Sequence, residues 1–158
     1  MTYHQQLQYR KMGRIRIRIA GIYIQNGKIL LVKHRKAERE YFLLPGGGQE
    51  PGETAREALI REWKEELNLT IRPGNFLFAG ESTPPRNVRK SQLMQLVFGV
   101  LEIQGNIDVV PDGALAGHLW MPLEKLESVA FFPACLPQVI AIARNENPEP
   151  FAEYRWLR

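Results

Sequence analysis

The sequence predicts an α/β fold, a sandwich built on a mixed central sheet. Three observations carry that expectation: stretches that alternate apolar and polar residues, one long helix with a capping signal, and no repeat or linker that would split the chain. At 158 residues the chain suits one domain, able to bury roughly two-thirds of its unfolded surface. Residues 1–13 are polar and without period, and read as a tail or a short dimer-contact arm, with a homodimer as a candidate assembly. Residues 14–145 read as the domain, and 146–158 as a tail whose aromatics pack back onto it.

The elements follow in chain order. "RIRIRIAGIYI" places Arg14, Arg16 and Arg18 on one face and Ile15, Ile17 and Ile19 on the other, as in a strand with one polar face. Asn26-Gly27 is a strong hairpin signal, after which "KILLVKH" returns antiparallel; "YFLL" is a third short strand ending at Pro45. "PGGGQEPGE" is too rich in Gly and Pro for regular structure. Thr54 and Glu57 form a capping box that starts a helix running from about Ala55 to Leu67. Asn68 ends it, because Asn tolerates the left-handed cap conformation. "TIRPGNFLFAGES" and "SQLMQLVFGVLEIQG" read as strands joined by the loop "TPPRNVRK", and "ALAGHLWMP" as another strand. "PLEKLES" is a short helix, and "FPACLPQVIAIARN" a closing helix whose start is blurred by Pro137.

A net charge of +4 suits an anionic ligand and equally an ordinary soluble surface. The dense basic runs "KHRK" and "RNVRK" are too short for the stripe that nucleic acid demands, so nucleic acid is not the expected partner. The lone Cys135 excludes an internal disulfide and a cysteine-based zinc site, and reads as a small buried thiol. The first residues lack the apolar core of a signal peptide, and no run approaches the roughly 20 apolar residues that span a bilayer. The expected address is the cytoplasm, with no membrane partner.

The segment "REWKEELNL" carries the chemistry. At 100° per residue, Glu65 falls about 60° to one side of Glu62 and Glu66 about 40° to the other, so three carboxylates share one helix face with the small Ala55 and Ala58. Leu59, Ile60, Trp63 and Leu67 form the adjoining apolar stripe. Like charges at this spacing repel, so either pairs such as Glu57–Arg61 and Arg61–Glu65 neutralise the face, or it meets a cation. The loop in front favours the cation. Hard divalent ions take carboxylate, carbonyl and phosphate oxygens, and Gly46 to Gly48 expose bare backbone leading through Glu50 and Glu53 into the helix.

"GGQEPGETAREALIREWKEELNL" resembles the Nudix box of the Nudix hydrolases, G-x5-E-x7-R-E-U-x-E-E-x-G-U, where U is a bulky apolar residue. Gly47, Glu53, Arg61-Glu62, Trp63, Glu65-Glu66 and Leu69 match; Asn68 stands where the family has Gly. The resemblance implies a Nudix-type α/β/α sandwich that hydrolyses a nucleoside diphosphate linked to another group, with Mg²⁺ (or Mn²⁺) as cofactor. Carried over by position, Glu62, Glu65 and Glu66 are metal ligands, joined by the Gly46 carbonyl. Glu53 belongs to the same catalytic centre, and Arg61 holds its carboxylate in place.

Substrate signals are weaker. Pro84 and Pro85 follow the box at a distance that resembles ADP-ribose pyrophosphatases of the family, pointing to ADP-ribose or a nucleotide sugar as the small-molecule substrate. Gly47 and Gly48 would approach its phosphates, Arg18 would hold a phosphate through its fork, Tyr41 would stack on a base, and Arg86 would meet a terminal phosphate or ribose. Solvated surface or core roles compete for Arg18, Tyr41 and Arg86, and also for His34, His118, Glu102 and Asp112. The rival activities are a nucleoside triphosphate pyrophosphohydrolase of the pool-cleaning type, a nucleotide sensor without turnover, and RNA end processing.

Overall fold

The computed structural model describes residues 14–88 and 90–156, so the expected N-terminal arm lies outside the described residues. Its elements are β1 (Ile15–Ile22), β2 (Ile24–Gln25), β3 (Lys28–Lys36), β4 (Arg39–Leu43), β5 (Gly46–Gly48), α1 (Ala55–Leu67), β6 (Thr70–Ser82), β7 (Gln92–Gln104), β8 (Leu115–Pro122), a 3₁₀ turn (Leu123–Ser128), α2 (Leu136–Ala143) and β9 (Phe151–Glu153). One sheet has the order β5-β1-β7-β6-β9; in the other, β3 pairs antiparallel with β2, β4 and β8. The first sheet is mixed, because β1 runs parallel to β7 and β6 parallel to β9, while β5–β1 and β6–β7 are antiparallel.

Strand alternation sends neighbouring residues into two separate cores. Ile19, Leu30 and Val32 pack with Leu59, Trp63 and Leu67 of α1, whereas Ala20, Ile29 and Leu31 pack with Phe131, Cys135 and Val139 beside α2. The result is a helix–sheet–helix sandwich, as the sequence predicts. No helix among the described residues is long and apolar enough to cross a membrane.

Four local expectations need correction. Asn26 and Gly27 do form a tight turn, at φ 52° and 69°, but the strand it returns from is the two-residue β2, not β1. The chain leaves the first sheet at Ile22, and turn chemistry alone cannot report that switch. The polar face of β1 is not a solvent face throughout: Arg18 is 9% exposed, whereas Ile15 and Ile17 are 58% and 44% exposed. Gly46–Gly48, expected to be irregular, pairs with β1. Ile60, expected in the buried stripe of α1, is 39% exposed, because the sheet covers the arc of Leu59, Trp63 and Leu67 and Ile60 lies beyond its edge.

Helix α1 has the predicted bounds. Thr54 Oγ1 accepts from the Glu57 amide at 3.2 Å and the Glu57 carboxylate accepts from the Thr54 amide at 2.7 Å, closing the capping box. Asn68 sits in the left-handed region at φ 58°, and its amide donates to Lys64 O at 3.0 Å. The Asn68 side chain also accepts from Lys64 Nζ at 2.7 Å. Asn68→Gly is therefore expected to stay within about 0.5 kcal/mol of wild type, whereas Asn68→Ala should lose about 1 kcal/mol in urea unfolding, since Ala pays the left-handed strain and restores no bond.

Candidate active site

Two of the three glycines are fixed by sterics. Gly46 has φ +148°, and a Cβ there would lie 2.1 Å from the Ile19 carbonyl oxygen. A Cβ on Gly47 would lie 2.2 Å from Glu62 Oε2, so the strand β5 lies directly against a box carboxylate. A Cβ on Gly48 would meet nothing within 4 Å; Gly48 enters the site through its carbonyl. The backbone here is held on every side. Pro45 O accepts from the Gly21 amide at 3.0 Å and from Trp63 Nε1 at 3.2 Å, and the Gly46 amide donates to Glu66 Oε2 at 2.9 Å.

Arg61 is the hub of the helix face. Its Nε and Nη2 donate to the two oxygens of Glu53 at 3.1 and 2.6 Å, a bidentate fork. Nη2 also reaches Gly48 O at 2.9 Å, and Nη1 reaches Glu62 Oε1 at 2.8 Å and Glu65 Oε2 at 3.2 Å. Glu57 is not among these partners, being used in the cap. The Arg61 bonds, helped by the Glu50 amide, hold the Glu53 carboxyl below the usual carboxylate range; the Glu53 carboxylate in turn keeps Arg61 firmly protonated. Glu66 is the opposite case. Burial pushes it up to about 7, against the pull of Arg18 and the Gly46 amide, with Glu62 and Glu65 adding repulsion.

Thus Glu53, Glu62, Glu65 and Glu66 face two guanidiniums, Arg61 and Arg18, and negative charge is in excess. All donors at this face are carboxylate or carbonyl oxygens, the set that hard divalent cations take. Among the described residues no three acidic, His or Cys side chains enclose a point in space; Arg61 draws Glu62 and Glu65 to itself while Glu66 turns to the Gly46 amide. A hydrated ion needs no such cage, since Mg²⁺ keeps several waters and is held by one or two carboxylates plus substrate phosphates. The donor set fits such an ion.

The other expected contacts lie apart from this cluster or are engaged differently. Arg18 is buried, donating to Gln95 Oε1, Leu44 O and Gly46 O. Tyr41 is half-buried, edge-on to His34 and Phe132. Arg86 is exposed in the β6–β7 loop. Glu102 pairs with Arg72 on the surface, Asp112 and His118 are exposed, and burial lowers the pKa of His34. Cys135 is fully buried, with its thiol pushed up to about 11, and is no nucleophile. Sequence reading passed over Gln95, 0% exposed beside Arg18; its one signal is an amide flanked by the apolar residues of "LMQLVF".

A glycine-rich strand braced against an arginine-centred acidic helix, on a mixed sandwich, defines a Nudix-type domain. The NUDIX domain family model matches residues 15–140, and the chain belongs to the Nudix hydrolase family. An ADP-ribose pyrophosphatase of Methanocaldococcus jannaschii is 34% identical over 116 residues, which span 73% of this chain and 66% of that protein, just under two-thirds of its length. The 8-oxo-dGDP phosphatase NUDT18 of Homo sapiens is 43% identical over 61 residues, 38% of this chain and 19% of that protein. The MutT protein of Bacillus halodurans superposes with a TM-score of 0.70 over 89% of this chain and 90% of that one; at 16% identity this shows the fold alone. Members of the family generally require divalent metal ions.

The hub makes one substitution diagnostic. Arg61→Lys keeps the charge but loses the fork, and one ammonium cannot serve Glu53, Gly48 O, Glu62 and Glu65 together. Turnover is expected to fall about 10- to 100-fold, with the circular dichroism spectrum unchanged.

Proposed function

We propose that this chain is a Mg²⁺- or Mn²⁺-dependent pyrophosphohydrolase acting on a nucleoside diphosphate linked to a second group, with ADP-ribose or a nucleotide sugar as substrate. The observation that carries the reading is the set Glu62, Glu65 and Glu66 on one face of α1 beside Gly46–Gly48, with Glu62 and Glu65 tied to Glu53 through Arg61 and Glu66 accepting from the Gly46 amide. The archaeal ADP-ribose pyrophosphatase relative supports the substrate class. Glu62, Glu65, Glu66 and the Gly46 carbonyl would hold the cation. When bound, it offsets the pyrophosphate charge, orients a water and lowers that water's pKa.

The residues of the chain supply the rest. Gly47 and Gly48 let backbone approach the phosphates without side-chain interference. Arg61 fixes the spacing between loop and helix and keeps Glu53 ionised. Glu53 is a poor base, because both its oxygens accept bonds from Arg61 and one also takes the Glu50 amide. The proton of the attacking water goes to a carboxylate among Glu62, Glu65 and Glu66, each with oxygen lone pairs to spare. Residues 14–145 act as the catalytic domain in this reading, and the cytoplasm is its place of action.

A second reading is a nucleoside triphosphate pyrophosphohydrolase of the pool-cleaning type; the short match to the human 8-oxo-dGDP phosphatase, named for a nucleotide with no second group attached, favours it. A substrate panel run with and without Mg²⁺ separates the two. ADP-ribose yielding AMP and ribose phosphate is the expected result; preferential release of pyrophosphate from triphosphates would select the second reading. Nucleotide binding with no product under any condition would leave a sensor.

A further inference from the structure

A buried polar row crosses the first sheet beneath the glycine strand. In register lie Gly48 of β5, Arg18 of β1, Gln95 of β7 and Gly80 of β6. The two glycines leave Arg18 and Gln95 as the side chains of the row. The ring of Tyr154 fills the space above Gly80, where a Cβ would fall 2.1 Å from its Cζ. Gln95 and Cys135 are 0% exposed, Tyr154 7% and Arg18 9%, so the side chains of the row are closed to solvent. Hydrogen bonds made there are strong and expensive to leave unmade.

Within the row, Arg18 faces the loop. Its Nη2 donates to Leu44 O at 2.8 Å and Gly46 O at 3.0 Å, and its Nη1 donates to Gln95 Oε1 at 3.2 Å. Gln95 is set in turn, with its Nε2 donating to Cys135 Sγ at 3.4 Å. The two carbonyls flank Pro45, whose own carbonyl is held by Gly21 and Trp63. All three consecutive carbonyls of residues 44–46 are therefore pinned, two of them by one guanidinium. The Gly46 amide meanwhile faces Glu66. Arg61 grips the same strand from the helix side at Gly48 O.

We propose that Arg18 is a positioning residue, held by Gln95, that pins the carbonyls on either side of Pro45, keeps residue Gly46 beside Glu66 and so aims the Gly46 carbonyl at the cation. Two arginines then clamp the glycine strand from its two sides. A carbonyl oxygen has two lone pairs, so Gly46 O accepts from Arg18 and keeps a second acceptor site. The assignment differs from phosphate binding by Arg18: its three named acceptors are protein oxygens. It rests on the reading of Gly46 O and Glu66 as metal ligands.

The test is Mn²⁺ affinity of the substrate-free protein, followed by electron paramagnetic resonance of the free ion, beside thermal unfolding and steady-state kinetics. Arg18→Met is expected to raise the Mn²⁺ Kd about tenfold, Gln95→Met to raise it about threefold, and Arg18→Lys to recover part of the loss. KM for substrate at saturating Mn²⁺ should stay within about twofold of wild type, because no substrate contact has been removed. Should Arg18→Met prove unfolded at assay temperature, Gln95→Met, which leaves the Arg18 charge in place, carries the test. Unchanged Mn²⁺ affinity with a raised KM would make Arg18 a substrate contact and overturn the proposal. Unchanged affinity with only a lower unfolding midpoint would make Arg18 a purely structural residue and overturn it equally. Loss of Mn²⁺ binding in Glu66→Gln alongside unchanged affinity in Arg18→Met would sink the clamp alone; no binding by wild type, even with ADP-ribose added, would sink the metal site with it.

Discussion

Glu66→Gln is expected to lower turnover by about two to three orders of magnitude while the domain stays folded. Glutamine keeps an oxygen for the Gly46 amide, so the local hydrogen bond survives and the negative charge is what is lost. The same variant should show an opposite effect on stability. Burial raises the folded-state pKa of Glu66 to about 7, above the ordinary value of about 4.3, so the native state holds that proton more tightly than the unfolded chain does. The native state is thus penalised as pH climbs: stability is full below the unfolded pKa and declines until pH passes the folded one. In metal-free buffer above pH 7, Glu66→Gln should therefore exceed wild type by about 3 to 4 kcal/mol, and the gain should vanish near pH 4. Urea unfolding at the two pH values, in chelator, checks this. A cation that binds the ionised form should narrow the gap.

Alanine at Gly46 and at Gly47 is expected to fail in different ways. At Gly46 the new Cβ would lie 2.1 Å from the Ile19 carbonyl oxygen and 2.7 Å from the Ala20 Cα, all backbone, at a φ of +148°. Neither strand can yield without breaking the β1–β5 register, so Gly46→Ala should destabilise the fold by about 3 kcal/mol or more. At Gly47 the obstacle is the Glu62 carboxylate, the free end of a side chain. Glu62 can swing aside, leaving unfolding within about 1 kcal/mol of wild type. That swing breaks the 2.8 Å bond from Arg61 and takes a carboxylate from the cluster, so turnover should still fall at least about 100-fold. Paired melting curves and initial rates distinguish the two outcomes.

These contrasts show which parts of the site were legible in the sequence. The helix was, because its start and stop are local chemistry: the Thr54–Glu57 box and the left-handed Asn68 need no tertiary partner to be recognised. The acidic face was legible for the same reason, since helical spacing places Glu62, Glu65 and Glu66 together whatever lies beyond. Arg18 was not. Alternation in "RIRIRI" separates two faces but does not say which is buried, and here the face changes character along one strand, from exposed Arg16 to buried Arg18. The reason is tertiary: Arg18 reaches Gln95 and the carbonyls of Leu44 and Gly46, groups 26 to 77 residues away in the chain. The strand character of Gly46–Gly48 was hidden likewise. Glycine signals a turn by composition, yet here it signals close approach, to the backbone of β1 on one side and to Glu62 on the other. The return from the Asn26-Gly27 turn misled in a third way, since the turn is real but the partner strand lies in the other sheet.

A divalent-cation site among the carboxylates around Arg61, serving phosphoanhydride hydrolysis, is tested most directly by ADP-ribose hydrolysis. Wild type and Glu66→Gln are each titrated with Mg²⁺ and then treated with excess chelator, with AMP and ribose phosphate separated and quantified. The expected result is product formation by wild type that rises with Mg²⁺ and stops in chelator, and turnover at least about 100-fold lower in Glu66→Gln. Undiminished turnover in chelator, or full activity in Glu66→Gln, would contradict such a site.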